Sequence, residues 1–168
     1  MENKKETIIF EQWKKYDERG NLVYYKDSNG CEYWNEYNKS NNLIYYKNSN
    51  GYESWCEYDE NNNEIYFKDF TGFEYWKEYD ENNNLIHCKN SDGYEEWWKY
   101  DINNNLIHHI YSNGCEYWNE YDKSNNLIYT KDSDGYESKY DNNNIIYSRD
   151  SDGFEYWNEF DKNNNLIH

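Results

Sequence analysis

The chain repeats itself every 21 residues, and this period constrains the fold more than any other feature. Gly30, Gly51, Gly72, Gly93, Gly114 and Gly135 stand 21 residues apart, and Gly153 follows after 18. One copy reads GFEYWKEYDENNNLIHCKNSD, from Gly72 to Asp92. An earlier copy without its glycine begins at Ile9, and the last one stops at His168. Eight copies therefore occupy residues 9–168 as one array, behind a short polar leader over residues 1–8. The seventh, over 135–152, is three residues short and lacks its tryptophan and one turn residue. A period of about 20 to 50 residues marks an architecture in which each unit is stabilised by its neighbours. Positions below are counted from the glycine of each copy as 0.

Each copy holds two runs of β character. The first is Gly-aromatic-Glu-Tyr-Trp-x-Glu-Tyr and the second resembles Leu-Ile-Tyr-Tyr-Lys. Between them lies Asp-x-Asn-Asn-Asn, a run whose residues tolerate positive φ and bond their own backbone. Asp-Gly or Asn-Gly joins most copies, and Thr71-Gly72 is an exception. Such dipeptides predict two-residue type I′ turns. Apolar residues do not recur at three and four, so a helical reading fails. The expected fold class is all-β, with tandem β-hairpin repeats in one elongated, twisted antiparallel sheet.

Turn length predicts which side chains share a face. A two-residue joint pairs position 17 with 3 and 16 with 4. A five-residue loop at positions 8–12 pairs 7 with 13, and odd positions then meet odd ones throughout. In the copy from Gly72, one face would carry Phe73, Tyr75, Lys77, Tyr79, Leu85, His87 and Lys89. The other would carry Glu74, Trp76, Glu78, Ile86, Cys88 and Asn90, with Trp76 beside Phe67. Both faces have apolar centres, so the sheet is expected to twist, curl or form a homodimer. The short seventh copy predicts a bulge or kink near Asp141–Asn144 and a gap where its tryptophan is missing.

Composition narrows the function. Thirty-four acidic residues against 17 basic ones give a net charge of −17, which opposes direct contact with nucleic-acid phosphates and anionic membranes. Mean hydropathy is −1.48, yet 22 tyrosines and eight tryptophans supply large surfaces to bury. No apolar run reaches membrane-spanning length and the start lacks a signal-peptide core, so a cytoplasmic location is expected. Cys31, Cys56, Cys88 and Cys115 are scattered over three repeat positions without a CxxC pair, and read as free thiols. His87, His108 and His168 stand where other copies have tyrosine, and with His109 they are too few for a metal site. Neither cofactor nor metal is expected.

The stretch YDERGNLVYYKDSNG, Tyr16 to Gly30, resembles the tyrosine-aspartate repeat of the Rhs family. That pattern is Tyr-Asp, two residues, Gly-Arg-Leu and a glycine downstream. Gly20 and Leu22 match, Asn21 stands in place of the arginine, and Asn83 replaces the glycine in a later copy. The layout is also similar to MORN-type hairpin repeats. The resemblance implies consecutive hairpins in a long antiparallel sheet. Rhs proteins are far longer shells around a toxin, so it speaks to fold rather than activity.

Glutamate recurs at position 2 (Glu11, Glu32, Glu53, Glu74, Glu95, Glu116, Glu137, Glu155) and in five copies at position 6 (Glu36, Glu57, Glu78, Glu120, Glu159). These flank a tryptophan row: Trp13, Trp34, Trp55, Trp76, Trp97, Trp118 and Trp157. Asp59, Asp80 and Asp101 at position 8, and Asp27, Asp69 and Asp132 at position 18, add charge. Two carboxylates beside an aromatic ring suggest glycoside chemistry, but four strand residues separate them by roughly 13 Å, too far for an acid–base pair. No group stands apart from the repeat as a catalyst, so the chain is read as non-catalytic. The plainer reading makes the rings a core and the glutamates a solubilising margin.

The functional reading is an acidic surface, centred on Glu32, Glu36, Glu53, Glu57, Glu74, Glu78, Glu95, Glu116, Glu120, Trp76, Trp97 and Trp118. It would bind a basic protein surface and act as an inhibitor or decoy of a nucleic-acid-handling enzyme, in the manner of phage-encoded anti-CRISPR-like proteins. The alternatives are a carbohydrate- or cell-wall-binding module, or an immunity partner of an Rhs-like toxin.

Overall fold

The computed structural model describes residues 11–167. Ile9 and the leader lie outside the described residues, as does His168. Among the described residues fifteen antiparallel strands succeed one another in chain order, two for each of the first seven copies and one for the eighth. The chain divides into two compact units. The first runs to Trp76 and includes Asn90–Asp92. It holds β1 (Gln12–Tyr16), β2 (Leu22–Asp27), β3 (Glu32–Tyr37), β4 (Leu43–Asn48), β5 (Glu53–Tyr58), β6 (Glu64–Asp69) and the start of β7 (Glu74–Tyr79). The second comprises Lys77–Lys89 and the residues from Gly93 onward. It holds the rest of β7, most of β8 (Leu85–Asn90), then β9 (Glu95–Tyr100), β10 (Leu106–Ile110), β11 (Glu116–Tyr121), β12 (Leu127–Asp132), β13 (Glu137–Asp141), β14 (Asn144–Arg149) and β15 (Glu155–Trp157). Among the described residues no helix is long and apolar enough to cross a membrane. None of the four cysteines is disulfide-bonded.

The joints are not type I′ turns. Positive φ falls on the glycine alone, +84° at Gly30 and +86° at Gly51, and not on the Asn before it. Gly30 N–H donates to Asp27 O at 3.1 Å, and Asp27 N–H donates to Cys31 O at 2.9 Å. This is a three-residue loop, a type I turn closed by one left-handed glycine. Asp27 selects it, because its Oδ1 accepts from Asn29 N–H at 2.9 Å and Cys31 N–H at 3.0 Å. The loop within each copy but the seventh has the same plan. Asp59 Oδ1 accepts from the N–H groups of Asn61 and Asn63, and Asn62 takes the left-handed place at φ 67°.

The longer joint shifts the expected register by one. Position 16 pairs with 3 (Tyr25 with Tyr33), 15 with 4 (Tyr24 with Trp34) and 17 with 2 (Lys26 with Glu32). Within a copy position 7 does meet 13, as Tyr37 meets Leu43, but a bulge follows and Glu36 then pairs with Tyr45. The extra residue of the bulge exchanges odd for even. Positions 3, 5, 7, 13 and 16 therefore share one face, and 2, 4, 6, 15 and 17 share the other. The expected packing of Trp76 on Phe67 is overturned on this account. Phe67 stacks on Tyr75 with centroids 5.0 Å apart, and Trp76 lies 5.7 Å from Tyr66.

The 3/16 face is the better covered. Among the described residues no apolar side chain is buried outright, and the five buried residues are Ser54, Glu96, His109, Thr130 and Ser138, all at positions 3 or 16. Cohesion comes instead from rings stacked across strands, such as Tyr25 on Tyr33 at 4.8 Å, each pair adding about 0.5–1.5 kcal/mol beyond area burial.

The seventh copy breaks the pattern in one more way. Asn142 and Asn143 both have positive φ, and Asp141 pairs with Asn144. A two-residue turn of the type I′ kind thus replaces the three-residue loop. The register shift lies at Lys139/Tyr140, the place it occupies in other copies, rather than at Asp141–Asn144.

Candidate functional site

The 2/4/6/15 face carries the candidate residues. At the joints, except that into the seventh copy where Tyr129 meets Lys139, a position-15 ring lies beside the tryptophan of the next copy: Tyr24 with Trp34 at 5.7 Å, Tyr45 with Trp55 at 5.5 Å, His108 with Trp118 at 5.0 Å. Trp34, Trp55 and Trp97 stay open to solvent even so, Trp34 by 36% and Trp55 by 38%, whereas Trp76 and Trp118 are half-buried.

The two glutamate rows differ in character. Position-2 carboxylates are held by their own joint. Tyr24 Oη donates to Glu32 at 2.5 Å, and Tyr129 Oη to Glu137 at 2.7 Å. Lys47 and Lys68 bridge to Glu53 and Glu74 at 2.5 and 2.7 Å. His87 Nε2 lies 3.0 Å from Glu95 and His108 Nε2 2.8 Å from Glu116. The bond to Lys68 lowers the Glu74 pKa, and the bond to Glu137 raises that of Tyr129 to about 12. This row is structural before it is functional. Position-6 residues Glu36, Glu57, Glu78 and Glu120 are exposed, and only Glu78 among them reaches a ring nitrogen, His87 Nδ1 at 3.2 Å. The position-6 row is not uniformly acidic, because Lys15 and Lys99 occupy it in other copies. Lys131 shows that a tryptophan of this face accepts a cation, with its Nζ 4.8 Å from the Trp118 ring centre.

Aspartates at positions 8 and 18 cap loops. Asp17 is held down to about 2 by the amide of Asn21, with further bonds to backbone N–H groups and Arg19. Among the described residues no group of three or more His, Cys, Asp or Glu could hold a metal.

No family model matches the chain, and no curated protein matches it. Solved structures do. The crystal structure of TcdB2-TccC3-Cdc42 aligns over 93% of this chain and 10% of its own, with TM-score 0.61 at 14% identity. TcdB2-TccC3 aligns over the same shares with TM-score 0.58 at 15% identity. A Photorhabdus luminescens Tc holotoxin pore aligns over 92% of this chain and 12% of its own, with TM-score 0.51 at 13% identity. TcdB2-TccC3 is the Rhs-repeat shell of a Tc toxin. The chain has the fold of a YD-type hairpin-repeat array. It spans about a tenth of the length of those structures.

The Tyr-Asp pair of this YD-type array has a structural meaning. The bulge leaves the carbonyl at position 13 outside the regular ladder. Tyr37 Oη donates to that carbonyl of Leu22 at 3.3 Å, and Tyr58 Oη to Leu43 O at 3.1 Å. Asp at the next position closes the loop. Where position 5 is asparagine it supplies the same bond, as Asn119 Nδ2 to Leu106 O at 3.0 Å. Two features escaped sequence reasoning. Position-12 asparagines donate to position-11 asparagines one copy on, as Asn84 Nδ2 to Asn104 Oδ1 and Asn105 Nδ2 to Asn125 Oδ1, both at 3.0 Å. The Asn pair in every loop after the first was the signal. The other is a buried Glu96–His109 pair, 3.0 Å apart, with Trp98 stacked on His109.

Proposed function

We propose that this array is a non-catalytic binding protein whose tryptophan-bearing face docks on a basic protein surface. The observation that carries this reading is the exposed Trp34–Trp55 row with solvated Glu36 and Glu57 beside it. An arginine or lysine of a partner gains a ring face and a carboxylate in one step. A net charge of −17 steers such a partner in. The position-2 carboxylates are tied to their joints in copy after copy, which favours a scaffold role over acid–base catalysis. A nucleic-acid-handling enzyme presents the complementary basic groove, and occupancy of that groove by the array would inhibit it.

Tryptophan fluorescence titrated with an arginine-rich peptide, and separately with a neutral oligosaccharide, tests the reading at low and high salt. Peptide binding that weakens steeply with salt and is lost in Trp55→Ala and Glu57→Gln supports it. The exposed rings favour sugar stacking as the second reading. Salt-independent quenching by the oligosaccharide alone would replace the first with the second.

A further inference from the structure

The strand register sets side chains of this face in lines of three across neighbouring strands, each ending on a tryptophan. Lys15 lies opposite Tyr24, and Tyr24 opposite Trp34. Lys139, Tyr147 and Trp157 form the same line near the other end of the array. In both, the chain's own ammonium takes the middle ring. Lys15 Nζ lies 5.3 Å from the centre of Tyr24, and Lys139 Nζ 5.2 Å from that of Tyr147. The line of Glu36, Tyr45 and Trp55 has the same rings but a carboxylate where those lines have the ammonium. Tyr45 and Trp55 stand 5.5 Å apart with their planes inclined by 40°. Glu36 beside Tyr45, and Glu57 two residues on from Trp55, are both exposed. The neighbouring lysines Lys47 and Lys68 are tied to Glu53 and Glu74.

We infer that the Tyr45–Trp55 pair binds a quaternary ammonium group, in the place that lysine fills elsewhere. The pair lies on an open face, so hydration decides between cations. A primary ammonium is compact and strongly hydrated, and holds its water there. A quaternary ammonium has no N–H to solvate, and its methyl groups carry the charge onto the rings while leaving water themselves. Centred roughly 4 Å above the midpoint of the pair, it is about 5 Å from both ring centres, within the reach of about 6 Å for cation–π attraction. Glu36 and Glu57 attract it by charge, which needs no hydrogen bond. The line of Glu57, Tyr66 and Trp76 repeats the plan, but Trp76 is half-buried, so the Tyr45 line is the more open. Where His108 meets Trp118 the planes lie within 11° of parallel, and the rings face each other rather than a ligand. The inference rests on the docking face proposed above and deepens it by naming the chemistry of the cation. A trimethylated lysine of a partner protein and a choline headgroup both carry that group.

NMR titration of the full chain tests the site, with the Trp55 indole N–H assigned by its absence in Trp55→Phe and circular dichroism to show that each variant remains folded. Tetramethylammonium chloride and choline should each move that signal, with dissociation constants on the order of millimolar. The uncharged tert-butyl isostere of choline should bind about two- to thirtyfold more weakly than choline. Glu36→Lys places an ammonium where Lys15 and Lys139 have theirs, and should weaken tetramethylammonium binding at least about tenfold. Asp134→Lys makes the same change of net charge in the other unit and should leave binding unaltered. A trimethyl-lysine peptide that binds more tightly than phosphocholine identifies a protein as the source, and the reverse order identifies a headgroup; both uphold the site. A Trp55 signal that stays still up to about 100 mM tetramethylammonium, equal binding of the uncharged isostere, or unchanged binding by Glu36→Lys would each overturn the inference. The arginine-rich peptide keeps the two proposals apart. Peptide binding without tetramethylammonium binding sinks this inference alone, and the reverse sinks the docking reading alone.

Discussion

Asn42 Nδ2 donates to Asn62 Oδ1, twenty residues on, at 2.8 Å. The acceptor residue is also the one whose backbone is left-handed, at φ 67°. One side chain therefore answers two demands, a positive φ and a bond to the previous copy. Gly20 fills this place in the first copy, and the bonds along this edge begin at Asn21, which donates to Asn41 at 2.9 Å.

Substitution of Asn62 separates the two demands. Asn62→Gly keeps the backbone and loses only the side-chain bond, a cost of about 0.5–1.5 kcal/mol. Asn62→Ala adds the left-handed penalty of about 1–2 kcal/mol. Urea midpoints should fall in that order. Equal losses would mean that the backbone conformation carries no weight.

Gly51 offers the complementary test. Nothing lies within 4 Å of a Cβ built there, so only its φ of +86° resists a side chain. Gly51→Asn should be cheaper than Gly51→Ala, because asparagine tolerates the left-handed region. Thermal melts of the two variants decide this.

Stability should fail at both ends of the pH scale. The loop aspartates Asp17, Asp59, Asp80, Asp101, Asp122 and Asp161 have lowered pKa values, caused first by the paired asparagine amide. Their folded values lie below the unfolded one, so their contribution is present above about pH 3.9 and lost as pH falls through the lowered values, that of Asp17 being about 2. The tyrosines behave oppositely. Burial raises Tyr58 and Tyr94 to about 12. Their contribution is full below about pH 10 and disappears as pH climbs to 12. Circular dichroism across pH should show a broad plateau with two edges. Asp59→Asn should soften the acid edge alone.

The buried Glu96–His109 pair predicts non-additivity. His109→Phe leaves the Glu96 carboxylate without its imidazole and should cost about 1–3 kcal/mol. Adding Glu96→Ser recreates the Ser54/Phe67 combination of the third copy, and should recover part of that loss. A double-mutant cycle by urea denaturation measures the coupling.

The hairpins were legible in the sequence because period, turn residues and strand composition agree. Pairing of Tyr37 with Leu43 followed from loop length alone. The sharing of faces was not legible, since it depended on two residues that strand counting omits. One is Ser28, which makes the joint a three-residue loop, and the other is the extra residue of the bulge beyond Tyr37. Dipeptides such as Asn29-Gly30 suit both turn types, and Asp27 decided between them through its side chain. The site was legible in part. Tryptophan and glutamate rows do share a face, but only partner geometry reveals that Glu53 is bound by Lys47 while Glu57 points to water.

The seventh copy sets out the arithmetic by which such an array can lose or gain residues. A strand shortened by two keeps its sidedness, and a turn shortened by one can change its type and still leave Tyr140 opposite Ile145. A single insertion inside a strand has neither escape. It would turn every tryptophan beyond it, up to the next turn, to the wrong side of the sheet. Viable length changes are thus quantised, in twos along strands and in ones at turns. Whole copies, being closed at both ends by the same loop, are the unit that can be duplicated or deleted without any repair.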